Sequence, residues 1–227
     1  PRKITPDMSE ARKMSALAYG TKEFDYPVDS DLGLHVIESL MDQDFDVAHS
    51  RYMKEEYGGS IGPANWYLQK PRSTQPRPFG LPHAYGFAVA RWFGGKTPPI
   101  LPITINTCYP PNWISPRRAF ALGQAVRKAI EAWDTNKTVA FACTGGLSHF
   151  VVDEELDRLA LKGMEEANAE ILTTLPRVRL QSATTEIMNW VATAGAMGGT
   201  KMETLVYEPG YRTPAGTGCG CACGVWE

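Results

Sequence analysis

Residues 114–146 read ISPRRAFALGQAVRKAIEAW, DTNKTVAFAC and TGG, and this succession narrows what the chain can fold into. Ser115 suits a helix N-cap and Pro116 the first helical position, while Phe120, Val126, Ile130 and Trp133 supply an apolar stripe at helical spacing. KTVAFAC (137–143), small and apolar, then predicts a buried strand that Gly145 and Gly146 terminate. The alternation recurs along the chain. DSDLGLHVIESLMDQDFDVAHS (29–50) offers Asp29 or Ser30 as a cap, Leu32, Val36 and Leu40 as a helical face, and DFDVAH as a short strand. LPHAYGFAVARWF (81–93) resumes an apolar pattern, and PPILPITIN (98–106) predicts a strand through Ile100, Ile103 and Ile105. Residues 153–175 predict one long amphipathic helix, 183–197 a more apolar one, and METLVYEP (202–209) a last strand. Short strands alternating with helices imply an α/β fold whose sheet is covered on both faces.

The remaining segments are less regular. A surface helix is expected around SEARKMSALAYG (9–20), and the Gly-, Pro- and Ser-rich stretch 57–82 predicts a long ordered loop. At 227 residues the chain is long enough to bury one sizeable core, and a single catalytic-type domain over 1–227 is expected, with 209–227 as a Gly/Cys-rich tail. A net charge of −2 leaves no electrostatic footprint for nucleic acid or an anionic membrane. No apolar run approaches the roughly 20 residues of a bilayer span, and PRKITPDMSE lacks a signal-peptide core. A soluble, cytoplasmic protein is expected. The first residue is Pro1 rather than Met, which leaves open a missing upstream segment.

Polar residues in apolar settings indicate where chemistry could lie. In α/β sheets ligands collect beyond the carboxyl ends of strands, and His149 in TGGLSHF follows such an end, where glycines permit a sharp turn and a close approach. Histidine titrates near neutrality, so an acid/base role stands beside that of a turn histidine held by the backbone. His83 in GLPHAYG is a second histidine in an aromatic, glycine-rich setting; His35 lies on a helix and His49 after a short strand. Glu186 in TTEIMNW has apolar neighbours, so it needs a cation, a metal or hydrogen-bond donors, unless it is half exposed in a first helical turn. Cys219, Cys221 and Cys223 alternate in GTGCGCACG, a spacing unlike zinc knuckles, which favours a close-packed or flexible glycine-rich terminus. Cys143 reads as a small apolar residue, and neither it nor Ser148 has an evident base and orienting acid for a hydrolase.

DLGLHVIESLMDQDFDVA, LPHAYG, NTCYPPNWISPRRAFALGQAVRKAIE, TGGLSHF and TEIMNWVATAGAM, in this order across roughly residues 28–197, resemble the class III extradiol ring-cleavage dioxygenases. That family includes the catalytic subunit of protocatechuate 4,5-dioxygenase and the gallate dioxygenases. The resemblance implies a mixed central sheet with helices on both faces and one Fe(II) held by two histidines and a glutamate. It also implies a catechol-type substrate, carboxylated catechols included, with O2 as co-substrate. Glu186 falls on the family's iron-binding glutamate, His149 on its acid/base histidine and His83 on its second active-site histidine. Asn106, Tyr109 and Pro110 would lie near the substrate, and a homo-oligomer or an accessory small subunit is implied. The family's two iron-binding histidines precede the segment matching 28–50 and have no counterpart here. An N-terminally truncated or incompletely represented enzyme is expected; the alternative is a metal-free, non-catalytic subunit of a two-chain dioxygenase.

Overall fold

The computed structural model describes residues 4–19, 27–49, 83–94, 96–108 and 111–227. The long loop expected at 57–82 lies outside them. The chain divides into two compact units, residues 1–33 with 48–104 and residues 34–47 with 105–227.

In the first unit, α1 (Glu10–Tyr19) contacts α3 (His83–Trp92). Val28 and Ile100 form an isolated parallel bridge, with the Ile100 amide donating to Pro27 O at 2.9 Å. This is the only strand-like pairing in the expected strand 98–106 among the described residues. Tyr85 closes the end of that segment, its hydroxyl lying 2.9 Å from Ile103 O and 2.7 Å from Thr104 Oγ1. The helix expected from residue 29 onward is α2 (Ser30–Met41), capped by Asp29, whose Oδ1 accepts from the Leu32 amide.

The second unit is built on α4 (Pro116–Glu131), the helix that the cap and stripe predict. Ser115 is extended (φ −82°, ψ 157°) and its hydroxyl accepts from the Arg118 amide, satisfying one of the free donors of the first turn. α4 packs against α7 (Ile187–Ala196) at backbone range. A Cβ on Gly123 would sit 1.7 Å from Ala192 O and one on Gly195 2.2 Å from Phe120 O, so any larger residue at either position would push the helices apart. Leu147, Leu156, Met164, Leu172, Ile187, Met188 and Val191 form the densest part of the core, each at most 1% exposed. Burial of each such side chain contributes about 1.5–3 kcal/mol.

The expected long helix over 153–175 is two helices, α5 (Glu154–Glu165) and α6 (Ala169–Thr173). The break has a local cause: Ala167 turns into the left-handed region (φ 51°), and the Asn168 side chain then accepts from the amides of Glu170 and Ile171 to begin α6. A 3₁₀ turn (Ser182–Glu186) leads into α7.

These helices accompany a small sheet of strand order β1 (His149–Val151), β3 (Thr217–Trp226) and β2 (Met202–Tyr211), antiparallel throughout. Mixed α/β composition is therefore present. The helix-covered central sheet is not seen among the described residues: 44–49 and 137–143 carry no ladder, and Val139, Phe141 and Cys143 are half buried rather than enclosed. β2 contains the predicted METLVYEP strand. Of the Gly/Cys-rich tail expected over 209–227, residues 209–211 end β2 and 217–226 form the central strand β3.

Candidate active site

The loop 144–149 lies against the turn into α7, and four of its polar backbone groups meet side chains of TTEIMNW. The Thr144 carbonyl accepts from Asn189 Nδ2 (3.2 Å) and the Gly145 carbonyl from Trp190 Nε1 (3.1 Å). The Gly146 amide donates to Glu186 Oε2 (3.0 Å) and the His149 amide to Thr184 Oγ1 (3.0 Å). Gly145 has φ 141°, and a Cβ there would lie 3.1 Å from Glu186 Oε2, so the turn and the carboxylate together require glycine.

His149 and Glu186, 37 positions apart in the chain, thus share one site, with Nε2 3.6 Å from Oε2. The His149 Nδ1 lies 2.9 Å from Leu147 O. A carbonyl can only accept, so Nδ1 carries the hydrogen and the neutral ring presents the Nε2 lone pair toward the carboxylate. Two electron-rich atoms at that separation repel unless a proton or a cation lies between them. The pair is therefore suited to taking and returning a proton at Nε2. Both side chains are reachable, 22% and 36% exposed, and Phe150 beyond them holds a left-handed conformation (φ 66°) that costs about 1–3 kcal/mol.

Behind His149 the chain turns inward. Ser148 is fully buried: its amide donates to Asp157 Oδ1 (2.8 Å), its hydroxyl donates to Asp157 Oδ2 (2.7 Å) and accepts from the Asp153 amide (2.9 Å). Tyr207 donates a further bond to Asp157 Oδ2 (3.0 Å). Burial pushes the Asp157 carboxyl up, and the Ser148 and Tyr207 bonds oppose that shift. Asp153 caps α5 and is gripped by both Nε and Nη2 of Arg179, which hold its carboxyl below the usual range. Ser148 is thus committed to structure and is not placed as a hydrolytic nucleophile. Thr184, Asn189, Trp190, Ser148 and Asp157 were not singled out as site residues from sequence, since each owes its role to a contact across 9 to 45 positions.

Desolvation first, then the charge of Glu186, raises the Cys108 thiol; burial raises Cys143 to about 12, with Glu186 adding to the shift. None of these is poised as a nucleophile. Asn106 bonds through Nδ2 to Asn112 Oδ1 (3.0 Å), and its carbonyl accepts from the Ile114 amide, which shapes the turn before α4. Tyr109 and Pro110 lie outside the described residues. His83 begins α3 in the first unit, and its side chain is outside the described set. His35 is structural, its Nε2 2.7 Å from Ala129 O and its ring stacked on Trp133, while His49 is exposed.

Among the described residues no cluster of three or more His, Cys, Asp or Glu could hold a metal ion. Glu186 and His149 bring one carboxylate and one imidazole, short of the facial three-residue set used by non-haem iron. The described donors by themselves do not fit that metal.

His149, just beyond the Gly145–Gly146 turn, and Glu186, at the start of α7, thus make up the candidate site. The chain belongs to the family of the catalytic LigB subunit of aromatic ring-opening dioxygenases, whose family model matches residues 85–219, more than half of its length. The match contains His149 and Glu186 and begins two residues after His83. No curated protein matches the chain. No described helix is long and apolar enough to cross a membrane.

Proposed function

We propose that the chain works as the catalytic subunit of a cytoplasmic, Fe(II)-dependent extradiol dioxygenase that opens a catechol-type ring with O2. The observation that carries this reading is the approach of His149 Nε2 to Glu186 Oε2 at 3.6 Å, on two segments inside the family match. His149 is the acid/base: with Nδ1 tied to Leu147 O, its free Nε2 takes a phenolic proton from the catechol and returns it as the ring opens. Glu186 is the chain's metal-facing carboxylate, oriented by the Gly146 amide. His83 is the second active-site histidine, and Asn106, Tyr109 and Pro110 contact the substrate. The remaining metal ligands come from outside the described donors, and a homo-oligomer or an accessory small subunit completes the assembly.

The alternative reading is a metal-free, non-catalytic subunit of a two-chain dioxygenase. Anaerobic Fe(II) titration of the native assembly separates them. Binding that Glu186→Ala abolishes supports the catalytic reading; an assembly whose iron content is indifferent to Glu186 supports the other.

A further inference from the structure

The middle residue of Cys219-Gly220-Cys221 is tied to the histidine loop at both of its backbone groups. The Gly220 amide donates to Ser148 O (2.8 Å), and its carbonyl accepts from the Leu147 amide (2.8 Å). Cys219 pairs directly with His149 in the β1–β3 register, and a Cβ on Gly146 would meet both His149 Cε1 (2.6 Å) and Cys219 Sγ (2.9 Å). The thiols of Cys219 and Cys221 lie on one face of β3 with their sulfurs 4.0 Å apart. Cys221 is exposed and Cys219 half buried.

We infer that Cys219 and Cys221 form a reversible, peroxide-driven disulfide that displaces the loop bearing His149. The exposed Cys221 thiol attacks a peroxide oxygen, giving a sulfenic acid and water for hydrogen peroxide. The Cys219 sulfur then displaces the hydroxyl from Cys221 sulfur and loses its own proton, releasing a second water. Two thiols are oxidised by two electrons and one peroxide is reduced. Cys221 is the exposed thiol of the pair and Cys219 is half buried, which assigns the first attack to Cys221.

The coupling is geometric. Alternate Cα atoms of a strand are about 6.6–6.8 Å apart, at the upper end of the roughly 4.4–6.8 Å range of disulfides. An S–S bond of about 2.05 Å therefore draws the strand together at the intervening residue. That residue is Gly220, so contraction acts on its bonds to Leu147 and Ser148 and then on His149. The loss of function that follows rests on the acid/base reading of His149; the thiol chemistry and the loop displacement do not.

The test treats metal-stripped protein with hydrogen peroxide in the presence of a chelator, alkylates the remaining thiols, and maps the tryptic peptide Thr213–Glu227, which carries all three tail cysteines. The expected product lacks two hydrogens, has Cys223 alkylated and Cys219 and Cys221 protected, and is restored by dithiothreitol. Cys223→Ser retains it, whereas Cys219→Ser and Cys221→Ser do not form it. Hydrogen exchange at the Leu147 and Gly220 amides is at least about tenfold faster in the oxidised protein. A Cys221–Cys223 bond, three alkylatable thiols, or a Cys219–Cys221 bond with unchanged exchange would each overturn the inference. Ring opening enters none of these readouts, so a failed dioxygenase assay leaves them intact, and their failure leaves that reading intact.

Discussion

Replacing Gly220 by alanine places one methyl group where the site is tightest. The added Cβ would lie 2.0 Å from Asp157 Oδ2, 2.9 Å from Asp157 Cγ and 3.0 Å from Ser148 Oγ. These neighbours cannot swing away, because Asp157 is fully buried and holds Ser148 and Tyr207 through three hydrogen bonds. Overpacking alone costs about 1–3 kcal/mol, and a buried hydrogen bond broken by the displacement adds about 1–3 kcal/mol. A loss of at least about 2 kcal/mol is expected, which for a chain of this size lowers Tm by about 4–8 °C. Urea unfolding followed by tryptophan fluorescence reads it, since Trp190 and Trp226 both belong to the core of this unit. In an Asp157→Ala background the obstruction is gone, and the same glycine substitution should add less than about 0.5 kcal/mol. A single Gly220→Ala protein within about 0.5 kcal/mol of wild type would refute the packing argument and, with it, the idea that β3 bears directly on the histidine loop.

His149→Ala should lower ring opening by about 10²–10⁴-fold at unchanged metal content, read as product absorbance beside elemental analysis. Thr184→Val leaves the His149 amide without its 3.0 Å acceptor; about 1–3 kcal/mol of stability is lost, kcat falls more than KM rises, and Thr184→Ser restores both. Arg179 holds the Asp153 carboxyl below its usual value, so this pair stabilises the fold above the ordinary carboxylate range and the contribution disappears as pH falls through the depressed folded value. The stability gap between wild type and Arg179→Ala should therefore be full near pH 7 and close progressively below about pH 4 in acid denaturation; a gap that widens in acid would contradict the assigned pairing.

Helices were more legible in the sequence than strands because a helix satisfies its backbone locally. Ser115, Pro116 and the Phe120–Trp133 stripe contain almost everything α4 needs. A strand is completed by another segment, and 137–143, apolar as it is, meets no ladder among the described residues. β3 was hidden for the opposite reason: glycine has little strand propensity, yet Gly218, Gly220 and Gly224 admit the close approach of Gly210 O, Asp157 and Met202. The helix break at Ala167 depends on one left-handed residue and an asparagine cap, a signal easily overlooked inside a periodic run. In the site, the TGGLSH turn and the isolated carboxylate of TTEIMNW could be picked out individually, and the structure brings them to 3.6 Å. The supports, Thr184 under His149 and Asp157 under Ser148, are ordinary residues whose importance arises only through tertiary contact.

The most direct test of the central claim is single-turnover ring opening. The native assembly is loaded with Fe(II) under anaerobic conditions, mixed with a panel of catechols, and exposed to O2, wild type beside His149→Ala at matched iron content. The His149–Glu186 account predicts the yellow ring-opened product from wild type and essentially none from the variant. An iron-loaded wild-type assembly that opens no catechol ring, or a variant that opens it at the wild-type rate, would contradict the account.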